Sequence, residues 1–228
     1  MTLSSSTLAS ILIILIANPA LARFNPRDVR LESVTFAGSG CPGGSARAVL
    51  APDASAITIM YDQFQAEVGA TRPIDRKNCD VIIRMTKPQL YSFAVESADF
   101  RGFVCLERGA RATQEVKLET GHGDLAKVNL NMGVQSWLGP VNQNYVLTAV
   151  KPIEGMKYLS CLQPKRDGRL RVKSTITVEN GRNRSEGLIA VDSMDGRLVQ
   201  RYNLRWMNCV NVGIGLIDGL IRLGSRAR

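Results

Sequence analysis

Short segments of the chain alternate apolar and polar residues with a period of two, separated by frequent Gly and Pro breaks. They fall at residues 31–36, 57–61, 81–85, 91–95, 103–106, 145–150, 170–178, 188–191 and 200–206. These runs are rich in β-branched and aromatic side chains and recur at strand-and-turn spacing. Helical spacing is nearly absent before residue 210. The pattern predicts an all-β chain, two antiparallel sheets packed as a sandwich of jelly-roll type.

Two of the runs show their faces plainly. Leu170, Val172, Ile176 and Val178 point one way, and Arg169, Arg171, Lys173, Thr175 and Thr177 the other, as a half-solvated sheet requires. In the last run Tyr202, Leu204 and Trp206 face inward while Arg201, Asn203 and Arg205 face out. Residues 192–196, Asp-Ser-Met-Asp-Gly, read as an acidic hairpin turn between them.

The ends read differently from the middle. Residues 1–22 carry no charged side chain, hold an apolar run over 8–17, and close on Ala20-Leu21-Ala22 before Arg23. The run is shorter than the roughly 20 apolar residues of a membrane span, and the pattern predicts a secretory signal peptide cut after Ala22. Residues 23–209 then form a single β-sandwich domain, without an internal repeat or linker. In the tail, 210–228, Ile214, Ile217, Leu220 and Ile221 recur at helical spacing, which predicts a short amphipathic helix weakened by four glycines. No second apolar segment is long enough to span a bilayer, so no transmembrane segment is expected in the mature chain. The expected location is extracellular.

Charge changes the picture in the last third. The net charge is +9, and residues 151–228 hold 15 Lys and Arg against 7 Asp and Glu. Arg169, Arg171, Lys173, Arg201 and Arg205 are thus expected to form a basic face toward an anionic polymer or surface, unless they merely solvate the sheet. The stretch lacks interleaved exposed aromatics for stacking bases, so specific nucleic-acid binding is not expected.

Candidate chemistry is sparse. No Walker loop, nucleophile elbow or zinc-protease motif is present, and His122, in a Gly-rich loop, is the only histidine. Asp53, Asp62, Asp99, Asp192 and Asp195 lie at predicted turns or strand ends. Two of them in a cleft could serve a glycosidase and several could bind calcium, yet neither has a spacing signature and turn formation is the plainer reading. Asn183-Arg184-Ser185 is an N-glycosylation sequon, an acceptor where the host glycosylates its exports. No metal or cofactor is expected. Five cysteines, an odd number, leave at least one unpaired within the chain, and four of them permit three connectivities. Cys105, inside the apolar segment 103–106, reads as a buried, inert thiol.

Several short motifs in order carry a resemblance. Gly38-Ser39-Gly40-Cys41-Pro42 precedes Ala51-Pro52-Asp53, Tyr61-Asp62-Gln63-Phe64 and Arg76-Lys77-Asn78-Cys79. Arg101-Gly102-Phe103, Gly139-Pro140 with Tyr145, Ser160-Cys161, the 192–196 turn and Trp206-Met207-Asn208-Cys209 follow. From about Phe36 to Cys209 the chain resembles the secreted proteins grouped as domain of unknown function 4360. Tyr158-Leu159-Ser160-Cys161 departs from the aromatic and proline usual near the family's third cysteine. The resemblance implies a small secreted β-rich protein with no established activity. It also implies two sequential disulfides, Cys41–Cys79 and Cys161–Cys209, with Cys105 outside the family's usual four. The expected role is a non-catalytic surface or binding protein for extracellular or cell-wall polysaccharide. The alternatives are a carboxylate-dependent hydrolase and a basic effector acting on an anionic surface.

Overall fold

The computed structural model describes residues 23–88, 90–120, 128–150, 167–182, 184–191 and 199–209. The strands in chain order are β1 Leu31–Ala37, β2 Ala46–Leu50, β3 Ala56–Tyr61, β4 Gln65–Val68, β5 Ile74–Thr86 and β6 Tyr91–Leu106. They continue with β7 Arg111–Thr120, β8 Val128–Leu138, β9 Val141–Val150, β10 Asp167–Glu179, β11 Gly187–Ala190 and β12 Val199–Asn208. One sheet runs β1-β5-β10-β7-β8; the other runs β2-β3-β12-β6-β11-β4, with β9 on the remaining side of β6. Every pairing is antiparallel.

The alternation predicted for β10 is realised over its length. Leu170, Val172, Ile176 and Val178 are wholly buried, and they share one apolar core with Val81, Ile83 and Met85 of β5 and with Val116 and Leu118 of β7. Ile57, Ile59, Phe100, Val104, Ile189, Tyr202 and Leu204 complete that core from the second sheet. Each such side chain contributes about 1.5–3 kcal/mol by leaving water.

One polar cluster interrupts the apolar interior. The hydroxyls of Tyr61, Tyr202 and Ser174 donate to Gln200 Oε1 at 3.1, 2.7 and 3.0 Å. All four side chains are buried. Ser174 belongs to the first sheet and the other three to the second, so the cluster ties the layers together.

The two segments expected at 91–95 and 103–106 are parts of one strand, β6. Its middle is polar because Glu96 and Asp99 meet partners outside the core: Glu96 Oε1 accepts from Arg205 Nη1 at 3.0 Å and Asp99 Oδ1 from Thr148 Oγ1 at 2.7 Å. Asp99 therefore sits mid-strand rather than at a turn. Gly102 continues the strand beside Tyr145, whose ring would be struck by any Cβ at that position.

Cys41 and Cys79 are bonded across a Cα–Cα distance of 5.4 Å, and both are buried in the core. Their separation of 38 residues is worth about 4 kcal/mol in the chain-entropy view. Cys209 is also disulfide-bonded; Cys161 lies outside the described residues, as do the expected signal peptide over 1–22, His122, Asn183, Asp192, Asp195 and residues 210–228.

Burial pushes the hydroxyls of Tyr61, Tyr202 and Tyr145 above the usual phenol value of 10.0. Unfolded tyrosines lose their protons near that value while these three keep theirs, so the folded state binds more protons in alkali and its stability falls as pH rises past about 10. A spectrophotometric titration should show these three phenolates appearing only together with loss of β-type circular dichroism. Their reversible appearance in the folded protein would contradict it.

Candidate functional site

The two strands bearing the expected basic face belong to different sheets. Arg169, Arg171 and Lys173 lie on the outer face of β10, and Arg201 and Arg205 on the outer face of β12. The inner faces of these strands meet through Ser174 and Gln200, so the outer faces look in opposite directions. A single five-residue basic surface is therefore ruled out by the layering.

Neither half is an unopposed positive patch. Arg171 Nε donates to both Asp80 carboxylate oxygens at 2.8 and 3.1 Å, its Nη2 also reaches Asp80, and its Nη1 donates to Glu119 at 3.3 Å. Lys173 Nζ donates to Glu119 at 2.6 Å. The hydrogen bond to Asp80 holds the Arg171 guanidinium charged even more firmly than usual. On the other sheet Arg205 pairs with Glu96, and Arg201 Nε donates to Asn203 at 3.0 Å. Period-two reasoning found the outward cations but not the cross-strand anions, which arrive from β5, β6 and β7.

Of the candidate aspartates, Asp53, Asp62 and Asp99 are among the described residues. Asp53 accepts a 3.0 Å bond from the Ser55 N–H, and hydrogen bonds from Ser55 hold its carboxyl below the ordinary value of 3.8. Asp62 is exposed beyond β3. Among the described residues no three His, Cys, Asp or Glu side chains come together as a metal site would need. The sequon hydroxyl, Ser185 Oγ, is buried and donates to the Arg108 carbonyl at 2.7 Å.

A concave feature lies elsewhere among the described residues. β9, β6, β11 and β4 are neighbours, and their registers place Asn142, Cys105, Leu188 and Glu67 in one row across four strands. At about 4.8 Å per strand the row spans roughly 14 Å. It runs through an open cleft of about 920 Å³, whose walls also include Thr71, Arg72, Glu107, Pro140, Val141 and Glu186.

The rim is fastened by short local bonds. Glu186 N–H donates to Glu107 Oε2 at 2.8 Å, and Glu107 N–H to the Glu186 carbonyl at 3.0 Å. Asn180 Nδ2 donates to the Gly69 carbonyl at 2.8 Å, holding the turn that presents Thr71 and Arg72. Gly139, joined to Pro140 by a cis peptide bond, passes so close to the Glu107 carbonyl that a Cβ would overlap it.

Cys105 is corrected by this geometry. Its neighbours Val104 and Leu106 point into the core, so Cys105 points out of the sandwich, half-buried in the cleft wall. It is the free cysteine of the described residues. Glu67, Glu107 and Glu186 were not singled out by the sequence, because they come from three separate loops or strands with no common spacing.

Among the described residues the cleft therefore offers three exposed carboxylates, one guanidinium, an amide, a hydroxyl and a thiol over aliphatic carbon, with no aromatic ring. Its walls carry negative charge within a basic protein.

These residues define a disulfide-fastened antiparallel β-sandwich with an open, acidic cleft on one sheet. The chain belongs to the family described as Domain of unknown function (DUF4360), which matches residues 27–209. It is 28% identical over 190 residues to an uncharacterized secreted protein of Arthroderma benhamiae, across 82% of this chain and 74% of that one. Among solved structures it is similar to TmCBM61 in complex with beta-1,4-galactotriose, at 13% identity and a TM-score of 0.24, across 78% of this chain and 89% of that one. It is likewise similar to TmCBM27, a carbohydrate-binding module described for specific mannan recognition, at 8% identity and a TM-score of 0.25, across 77% and 98%.

If Asp80 and Glu119 neutralise the outer face of β10, removing their charge should strengthen retention on heparin. The double variant Asp80→Asn, Glu119→Gln is expected to elute at higher salt than the parent. Elution at unchanged salt would mean that these pairs do not mask the cations.

Proposed function

We propose that the protein is a secreted, non-catalytic binding protein whose cleft takes a stretch of polysaccharide that is neutral or bears amino groups. The make-up of the cleft wall carries this reading. Sugar hydroxyls donate to carboxylates and exchange hydrogen bonds with amides and hydroxyls, as Glu67, Glu107, Glu186, Asn142 and Thr71 would allow. The C–H faces of a sugar pack on aliphatic carbon, which Leu188, Val141 and Pro140 supply. An anionic polymer would meet three carboxylates against one guanidinium. Hydrolysis is favoured less, because a general acid keeps its proton near neutral pH through burial, and these three glutamates are exposed.

Secretion belongs to the same reading. It is supported by the leader-like residues 1–22, by disulfides, which persist in oxidising compartments, and by the name of the Arthroderma relative. No helix among the described residues is long and apolar enough to cross a membrane. A cut after Ala22 would leave Phe24 free to pack as it does, with its ring 5.0 Å from Trp206 and 5.4 Å from Tyr91. We take 23–209 as one domain, with Cys161 as the partner of Cys209 and 210–228 as an appended tail.

Depletion of the protein by insoluble neutral glucan, chitosan and a polyuronate gel would test the reading. Binding is expected on the first or second without release of reducing ends. The double variant Glu67→Gln, Asn142→Ala should weaken it about tenfold or more, the scale of a lost charged hydrogen bond. Retention on the polyuronate alone, binding unmoved by the variant, or release of reducing ends would overturn it.

A further inference from the structure

A strand at the edge of a sheet presents unpaired N–H and C=O groups, and proteins guard such edges with charge, short length, proline or bulges. Among the described residues four of the five edge strands are guarded. β1 carries Glu32, and β8 is interrupted by a register shift near Gly133, whose φ is +129°. β2 has five residues including Arg47, and β4 has four including Glu67.

β9 has none of these devices. Its ten residues pair with β6 without a register shift, from Val141 opposite Leu106 to Val150 opposite Ser97. They include no proline and no Asp, Glu, Lys or Arg, in a protein of which 21% of residues are charged. Val146 and Val150, 64% and 66% exposed, are the most exposed large hydrophobic residues described.

We propose that β9 pairs antiparallel with β9 of a second copy, joining two seven-stranded sheets across a twofold axis. In such a pairing the strand meets its own sequence reversed, so an edge charge at its midpoint faces its own duplicate at close range. An edge without charge meets itself without penalty, whereas it offers nothing to select a charged partner. Centring the pair on Val146 overlaps residues 142–150 and sets the two Val146 side chains side by side. The axis is normal to the sheet, so the outer faces of both copies look the same way. If the cleft binds polysaccharide as proposed above, two clefts then open toward one surface; the pairing itself does not depend on what the cleft binds.

Salt gives the pairing a signature. Each copy carries +9 and the joined edges contain no ion pair, so screening should tighten the dimer. Sedimentation of the protein alone should show a dimer that tightens between about 0.1 and 1 M salt, where the screening length falls from about 10 to 3 Å. Val146→Lys and Val146→Glu, on an exposed side chain, should each weaken it about tenfold or more with unchanged circular dichroism. Mixing the two variants should restore association, because Lys and Glu then face one another at the axis. Val134→Lys, on β8, should leave the dimer as it was. A protein monomeric at every concentration, a dimer loosened by salt, or variants that fail to complement would overturn the proposal.

Discussion

Ser174, Gln200, Tyr61 and Tyr202 form the bond that sets one sheet against the other. Apolar packing is non-directional and would let two flat layers settle in several offsets of similar area. A hydroxyl on β10 that must find an amide oxygen on β12 is satisfied in one offset, and an unmade bond in a dry interior costs about 1–3 kcal/mol per group. The inner faces thus owe their stability to the aliphatic majority and their alignment to four polar residues. Everything outside the core inherits that alignment, including the opposite orientation of the two cation rows.

Strand positions were legible where alternation was undisturbed. β10, β12, β3 and β5 announce themselves because their inward residues are mostly apolar or aromatic, with Ser174 and Gln200 the polar residues that meet across the layers. β7 does not, since Gln114 occupies an inward position and its outward face carries Glu115, Lys117 and Glu119, a composition equally at home on a helix. The buried Gln114 amide finds no hydrogen-bond partner among the described residues, so it is a polar residue held inside by its neighbours rather than by its own bonds. β8 was hidden by Gly133 and its asparagines, and β2 and β4 by their brevity.

The cleft was illegible for a different reason. Its row of residues is assembled by register across four strands whose sequence order is 9, 6, 11 and 4, and no local spacing encodes that order. Cys105 was misplaced by the apolar character of its segment, although the alternation of Val104, Cys105 and Leu106 already turns it away from the core. Electrostatics followed the same rule: cations can be counted in the sequence, but neutralisation by Asp80 and Glu119 depends on strands about 90 and 50 residues away, as only pairing topology can bring them.

Strand order also fixes when this chain can fold during its synthesis. β10 is the middle strand of one sheet and β12 an inner strand of the other, and both come from the last third of the sequence. Until residue 179 has emerged, β5 and β7 have no common partner, and the first sheet exists only as the separate pairs β1–β5 and β7–β8. Until residue 208 has emerged, β3 and β6 are likewise unconnected. A ribosome therefore delivers most of the chain as isolated strand pairs with one apolar face and no second layer to bury it. Such a polypeptide stays threadable through a narrow channel until its final strands arrive, and then both layers close almost at once.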